Sequence, residues 1–507
     1  SLGVADIKPV IPYPLRDASP TIFETRVQRS AKADNTSIRD NYRVHLALQF
    51  KDLPRDRGSL WKLISLNNLL FLHTEDSLFR TKGKQSMKLS DGSESFVGSG
   101  DIFTQDPDEV IQTKFGYGGT QSQWVSLVTK HGYFCLDYRN RRVFMFKDNL
   151  YDIGKTGLES WFQDNIPYAL EQYGLPSGFD NPIAGIGFTS MYDERYDRII
   201  LTKRDRKPTQ AFLDLYAAGQ EVGQEINNFN TTVQWVDELN SFAIAVQAHP
   251  SIGGFLYTPI KFDDTDYFTK DGWTVSYDVE LNVWVSFHDY IPYTYSRSQD
   301  NLMSFSDAIP ARSIEIHDDE INRGRFYGVV YPFEFEFIYN LSKDQDKVFY
   351  SFNYMIDVSK EGALLHDQGF TSFYVYTTHQ ISDEQNIEYM INTRRIGNEW
   401  KINKFRDLAL LQDTAVGPFA GSNFGVPGAS VAGTNITSVE TTTTNTMFNI
   451  DGMNETINNS FIDAAKSWHK QRKFSDKWAG IRLKYSNSNK NLINLYSTDV
   501  AAKKFYR

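Results

Sequence analysis

"GWTVSYDVELNVWVSFHDY", residues 272–290, alternates aromatic and β-branched residues with polar ones on either side of Asp278. Alternation over four to eight residues is the pattern of a half-buried strand, and two such runs joined by a few turn-forming residues make a hairpin. The arrangement recurs in "GYFCLDYRNRRVFMF" from Gly132 and in "TSMYDERYDRIILT" from Thr189. Asp137, Asp193 and Asp278 stand where the first strand of each hairpin ends. A short carboxylate there accepts backbone N–H groups of its own turn and closes it without a glycine. The three aspartates therefore read as turn-closing residues rather than catalytic ones.

Composition points the same way. The 507 residues include 36 Phe, 28 Tyr and 9 Trp, and aromatics at 14% favour pleated, half-buried surfaces. A formal net charge of −10 lacks the basic footprint of a protein that grips nucleic acid through its phosphates. The one cysteine, Cys135, lies inside the apolar run "YFCLDY", which excludes an intrachain disulfide framework and a multi-cysteine zinc site and marks a core thiol. No run reaches the ~18 consecutive apolar residues of a membrane span. The chain opens "SLGVADIKP" without a methionine, and the expectation drawn from this is a carboxy-terminal product of a larger precursor.

Along the chain, residues 1–57 are polar and proline-punctuated, as in "PVIPYPLRDASP", and are expected to form an arm with a strand near "YRVHLALQF". "LWKLISLNNLLFLHTEDSLFRT" from Leu60 holds three short strands divided by Asn67-Asn68 and Thr74-Glu75-Asp76. Similar texture returns across 120–150, 183–203, 242–288, 325–357 and 371–407. In "GRFYGVVYPFEFEFIYN" from Gly324, Phe333, Phe335, Phe337 and Tyr339 share one face and Glu334 and Glu336 the other, while Pro332 puts the strand at an edge or after the proline. The fold class expected is all-β: over 58–413, a β-propeller of antiparallel meander blades with helical and loop insertions. One helix is expected at about 205–230, with Phe212, Leu213, Leu215, Tyr216 and Val222 on its apolar face, and another in "SWFQDNIPYALEQYG" from Ser160. Residues 414–446 are rich in Gly, Ala and Thr and read as a loop or extended arm. A smaller C-terminal β region, 447–507, is expected to hold a short helix, "FIDAAKSWHKQRKF", and a hairpin over a polar turn at Ser486 to Asn491.

No catalytic, cofactor-binding or metal-ligating residue is assigned, and no cofactor is expected. There is no phosphate-cradling loop, nucleophile elbow or zinc-protease histidine pair. His317, Asp318, Asp319 and Glu320 are consecutive, so they point in different directions and read as a solvated acidic turn. Gly116, Gly118 and Gly119 in "FGYGGTQSQW" suit a tight turn, because no Lys-Ser/Thr pair follows them. "TKDGWTVS" from Thr269 lacks the repeated aspartate turn of sialidase-type propellers. Arg394, Arg395, Lys401, Lys404 and Arg406 with Trp400 and Phe405 suggest a basic aromatic patch, but alternating charge on a solvated or subunit-facing strand is the plainer reading.

Taken together, "GTQSQWVSLVTKHGYFCLDYRNRRVFMF", "GIGFTSMYDERYDRIILT", "WTVSYDVELNVWVSFHDYIP", "FYGVVYPFEFEFIYN", "NEWKINKFRD" and "KFSDKWAGIRLKY" resemble the large tail proteins of crAss-like bacteriophages, above all the muzzle proteins at the distal end of the short tail. These are similar in role to the nozzle or tubular proteins of other podoviruses. The resemblance spans residues 60–507 and rests on order and texture. It implies a virion component built on a β-propeller, assembled as a ring, with a hexamer expected, that continues the DNA channel and takes part in genome retention and ejection. Its implied partners are copies of itself, neighbouring ring, fibre or adaptor proteins, and double-stranded DNA in transit. It implies no enzymatic activity. Two other readings stand beside it: another ring or fibre-adaptor protein of the same tail, and a glycan-binding or glycan-degrading tail propeller.

Overall fold

The computed structural model describes residues 22–31, 41–46, 49–67, 69–82, 105–176, 180–220, 232–239, 241–247, 255–298, 301–307, 313–317, 324–342, 344–378, 380–382, 384–387, 393–396, 398–403, 473–489 and 491–504, with the backbone of short strand segments between them. Antiparallel strands dominate, as the alternation predicts. The chain forms two compact units, Ser1–Ile316 and His317–Arg507. This division falls inside the 58–413 span expected for a single propeller.

In the first unit, three sheets each have four strands. Leu60–Leu66, Leu69–Thr74, Leu78–Arg80 and Asp108–Glu109 form the first, and Leu127–Thr129, Gly132–Asp137, Arg142–Phe146 and Leu150–Asp152 the second. Gly187–Asp193, Arg198–Pro208, Phe268–Asp278 and Val283–His288 form the third. Strand order follows chain order in all three, so each is an antiparallel meander. Thr294–Ser298, Asn301–Phe305 and Ile314–Ile316 add a three-stranded sheet.

The second sheet shows why its sequence reads as nearly continuous apolar residues: both its faces are buried. Phe134, Leu136, Val143 and Met145 join a core shared with Phe188, Ile199, Leu201 and Val275 of the third sheet. Their neighbours Tyr133, Cys135, Phe144 and Phe146 point the other way, into a core shared with Ile64, Phe71 and Leu78 of the first. Part of the expected arm is also core. Arg26–Gln28 pairs with Phe50–Asp52, and Val27 and Leu53 cover Leu72 and Phe79 on the remaining face of the first sheet.

The helical insertion is shorter than expected at its start. Residues 205–208 continue the strand Arg198–Pro208, held in register with Phe268–Asp278 over its whole length. The helix is Gln210–Gln220, with Phe212 buried and Thr209 Oγ1 accepting the Phe212 N–H at 3.3 Å; Val222 lies outside the described residues. A three-stranded sheet, Thr232–Val236, Ser241–Gln247 and Phe255–Pro259, completes the insertion. The second helical candidate splits into Glu159–Asn165 and Ala169–Gln172, with Pro167 between them.

In the second unit, Phe333–Tyr339, Ala479–Tyr485, Ser372–Tyr376 and Gln385–Asn386 form one sheet. Lys347–Lys360 anchors the other, flanked by Glu399–Asn403 and Leu492–Lys504. Phe352, Tyr354, Ile356 and Val358 of one share a core with Phe373, Val375, Ile481 and Leu483 of the other, the packing of two face-to-face sheets. Phe333–Tyr339 starts after Pro332 and lies at a sheet edge, as the proline predicts. Phe335, Phe337 and Tyr339 pack on the core, Phe333 stays exposed, and Glu334 and Glu336 stand opposite Lys484 and Arg482.

The expected C-terminal hairpin is corrected here. Its two strands form, but Ala479–Tyr485 pairs with Phe333–Tyr339 and Ser372–Tyr376, while Leu492–Lys504 pairs with Lys347–Lys360. The polar turn carries the chain from one sheet to the other. Asn487 Nδ2 donates to Asn491 O at 2.9 Å and Asn491 N donates to Asn487 Oδ1 at 2.7 Å, which closes the turn locally and frees both strands to pair elsewhere. The expected helix at 461–474 lies almost wholly outside the described residues, and 414–446 does so apart from short strand backbone.

Candidate functional site

The three repeated aspartates do what turn chemistry requires. Asp137 Oδ1 accepts the Asn140 N–H at 3.1 Å, Asp193 Oδ1 the Arg195 N–H at 3.2 Å, and Asp278 Oδ1 the Leu281 N–H at 2.8 Å. Four residues after each aspartate the backbone turns left-handed, at Arg141 (φ 54°), Asp197 (φ 50°) and Asn282 (φ 56°). The repeated element is thus a four-residue loop, closed at its start by a carboxylate and at its end by one residue with positive φ. Asp137 is fully buried and takes two further bonds, from Asn140 Nδ2 at 2.7 Å and Gln121 Nε2 at 3.3 Å. Burial pushes its carboxyl above the usual range, against the pull of these donors.

The other residues singled out in the sequence are also structural. Cys135 is a buried free cysteine, and burial pushes its thiol far above its ordinary value. Gly116 and Gly118 have φ of 84° and 72°, and a Cβ on Gly119 would sit 1.9 Å from Glu75 O. These glycines lay the strap 116–120 against the hairpin end at Thr74–Ser77. There Gly118 O accepts from Nε2 of fully buried His73 at 2.9 Å, and His73 Nδ1 accepts from Tyr133 OH at 2.8 Å. Burial pushes the His73 imidazole down to about 4. "TKDGWTVS" runs along a strand, where Trp273 packs on Trp161 with ring centres 4.8 Å apart. His317 rests near Phe326, and Asp318, Asp319 and Glu320 lie outside the described residues. Among the described residues no group of His, Cys, Asp or Glu is placed to hold a metal. No helix among them is long and apolar enough to cross a membrane.

A buried charge cluster escaped the sequence reading. Lys203, Arg204, Asp205 and Arg206 continue an apolar strand and are all nearly inaccessible. Lys203 Nζ pairs with Asp205 at 2.6 Å and donates to Pro167 O at 2.7 Å, and Asp205 accepts the Ala169 N–H at 2.8 Å. Arg204 bonds Pro182 O and Asp307, both at 2.6 Å. The cluster ties the helices and the loop at 182 to the third sheet. Its signal in the sequence is the run "KRDR" following "RIILT" without a turn residue between them.

The basic aromatic segment lies on the hairpin Thr393–Ile396 and Glu399–Asn403, where Glu399 and Lys401 are exposed and Ile402 is buried. Lys404, Phe405 and Arg406 lie outside the described residues. Arg395 Nη1 donates to Asp367 Oδ1 at 2.9 Å, and its guanidinium sits over the Trp400 ring, 5.2 Å from the ring centre. Both side chains line a cavity of about 450 Å³ together with Gln368, Phe370, Ile387 and Tyr485.

Antiparallel meanders whose distinctive residues close turns, cross-brace strands and strap sheets define an architectural β-protein. The model of the Crassvirus muzzle protein family matches residues 10–308, more than half of the chain, and the chain belongs to that family. It is a structural component of the virion tail of a crAss-like phage. No curated protein matches the chain significantly.

Proposed function

We propose that the protein forms a closed ring of six copies at the distal end of the tail, lining the channel that retains the genome and releases it into the host, with no catalytic activity of its own. Membership of the muzzle family carries this reading. Three features support it. The four-stranded meanders, stacked through shared cores, have the strand order of propeller blades. A net charge of −10 suits a wall past which phosphates slide without being held. Val283 and Val285 of the strand Val283–His288, which lies at the edge of the third sheet, are 42% and 56% exposed, apolar surface at a strand edge that a second copy would cover. Heterologous contacts between identical subunits either close or grow without limit, and a channel needs closure.

Electron microscopy of the assembled particle tests the proposal. Six copies around a lumen wide enough for duplex DNA are expected. A single copy, or a position away from the tail axis, refutes it. Release of reducing ends from host polysaccharide or peptidoglycan above a denatured control refutes the non-catalytic part.

A further inference from the structure

We propose that the face of the third sheet carrying Arg206 and Lys270 binds a small oxyanion, and that phosphate is the group it fits. The inference does not depend on ring assembly.

The site follows from strand register. In Arg198–Pro208, Arg204 and Arg206 are two residues apart and share one face, while Lys203 and Asp205 share the other. Arg206 pairs directly with Lys270 of Phe268–Asp278, which puts the two cations side by side on adjacent strands. Like charges directly opposite one another repel, and an anion between them relieves the repulsion. Among the described residues Asp307 is the one carboxylate within 4.0 Å of these cations. It is committed to Arg204, whose Nη2 donates to it at 2.6 Å. Arg206 Nη2 and Lys270 Nζ stay 3.7 Å and 3.6 Å from it, beyond hydrogen-bond reach.

Arg206 is the member whose needs go unmet. It is 3% exposed, and its Nε is buried with no hydrogen-bond partner among the described residues. Burial and the neighbouring Arg204 push its guanidinium below the ordinary value, against the pull of Asp307, Asp263 and Asp205. Asp205 is already paired with Lys203, and Asp263 lies outside ion-pair distance, so the face as a whole stays positive. Gly185 faces Nε and Nη2 without a side chain; a Cβ there would stand 3.3 Å and 3.6 Å from those nitrogens. Lys270 and Asp307, 54% and 41% exposed, form the side from which an anion arrives.

These groups select the ligand class. A guanidinium and an ammonium with spare donors call for an anion rich in acceptor oxygens. A phosphate group carries about −1.5 to −2 at neutral pH and matches two cations, whereas one carboxylate neutralises only one of them. An apolar ligand would leave the guanidinium unmet. Arg206 lies below the surface, so the anion is a small solute rather than a duplex backbone.

The test uses the full chain and inorganic phosphate, read by calorimetric titration and by thermal unfolding against sodium chloride of equal ionic strength, with acetate as the carboxylate arm. Saturable binding and a higher melting temperature in phosphate are expected. Arg206→Met should weaken binding by about tenfold or more and Lys270→Gln by about threefold or more. Asp307→Asn removes the carboxylate that competes for the same cations and should tighten binding by about tenfold, a gain that a purely structural cluster would not show. If Arg206→Met does not fold, Lys270→Gln and Asp307→Asn decide. No saturable binding of phosphate, an affinity unchanged in both of those variants, or acetate bound more tightly than phosphate overturns the assignment.

Discussion

His73 makes the first unit sensitive to acid, and the size of the effect follows from its setting. The imidazole is completely buried, with Nε2–H donating to Gly118 O and Nδ1 accepting from Tyr133 OH, so the network fixes the neutral tautomer. Burial holds its pKa at about 4 in the folded state, against an ordinary value of 6.5 when unfolded. Between these values the unfolded chain binds a proton that the folded one excludes, so stability falls as pH drops through 6.5 and the loss levels off below 4. At about 1.36 kcal/mol per pKa unit, the loss is about 2 kcal/mol at pH 5 and approaches about 3 kcal/mol at pH 4. His73→Gln keeps an uncharged donor for Gly118 O and should abolish this slope while lowering stability uniformly by about 1 kcal/mol. Cys135, the chain's one thiol, is buried in the same core and reports its opening. Its modification by a dipyridyl disulfide, normalised to a free model thiol at each pH, should accelerate about thirtyfold between pH 7.5 and 5 in the wild type. Carboxylates such as Asp137 are common to both proteins and cancel in the comparison. Equal acceleration in His73→Gln would refute the reasoning.

The turn aspartates should rank by burial. Asp137→Ala, which strips three donors of their acceptor in a fully buried turn, should cost about 2–3 kcal/mol, and Asp278→Ala about 1 kcal/mol or less, by denaturant unfolding. Gly119→Ala should abolish the cooperative unfolding of the first unit because its Cβ has no space beside Glu75 O; Gly157→Ala, with positive φ but nothing within 4 Å, should cost only about 1–2 kcal/mol in the same thermal scan. Val285→Lys, on the exposed edge strand Val283–His288, should leave the melting transition unchanged while shifting the oligomer towards monomer in light scattering.

Local grammar was legible in the sequence; pairing between distant segments was not. The hairpins at 132–146, 187–208 and 268–288 and the three strands from Leu60 announce themselves because alternation and turn chemistry act over a dozen residues. The apparent C-terminal hairpin misled for the same reason: a polar turn between two apolar runs looks alike whether the runs pair with each other or depart for different sheets. The division at Ile316 was hidden because Phe333–Tyr339 has the same texture as the strands of the first unit, although its partner is Ala479–Tyr485. Trp400 and Arg395 stood out as a patch, but the cavity they line is completed by Gln368 and Tyr485 from other strands and loops, and no local pattern records that convergence.

The long-range pairing of the second unit also sets a timetable. Tyr339 meets Ala479, 140 residues later, and Lys347 meets Lys504. At about 5–20 residues per second, synthesis leaves Phe333–Tyr339 without its partner for on the order of ten seconds, in which its backbone edge and aromatic face are open to any passing strand. Paired strands of the first unit follow one another sooner, the widest interval being the insertion at 209–267 between Arg198–Pro208 and Phe268–Asp278. Nascent chains should therefore hold a finished amino-terminal half while the carboxy-terminal half still waits. Chaperone engagement, misassembly and the damage done by premature termination should all concentrate in that second half.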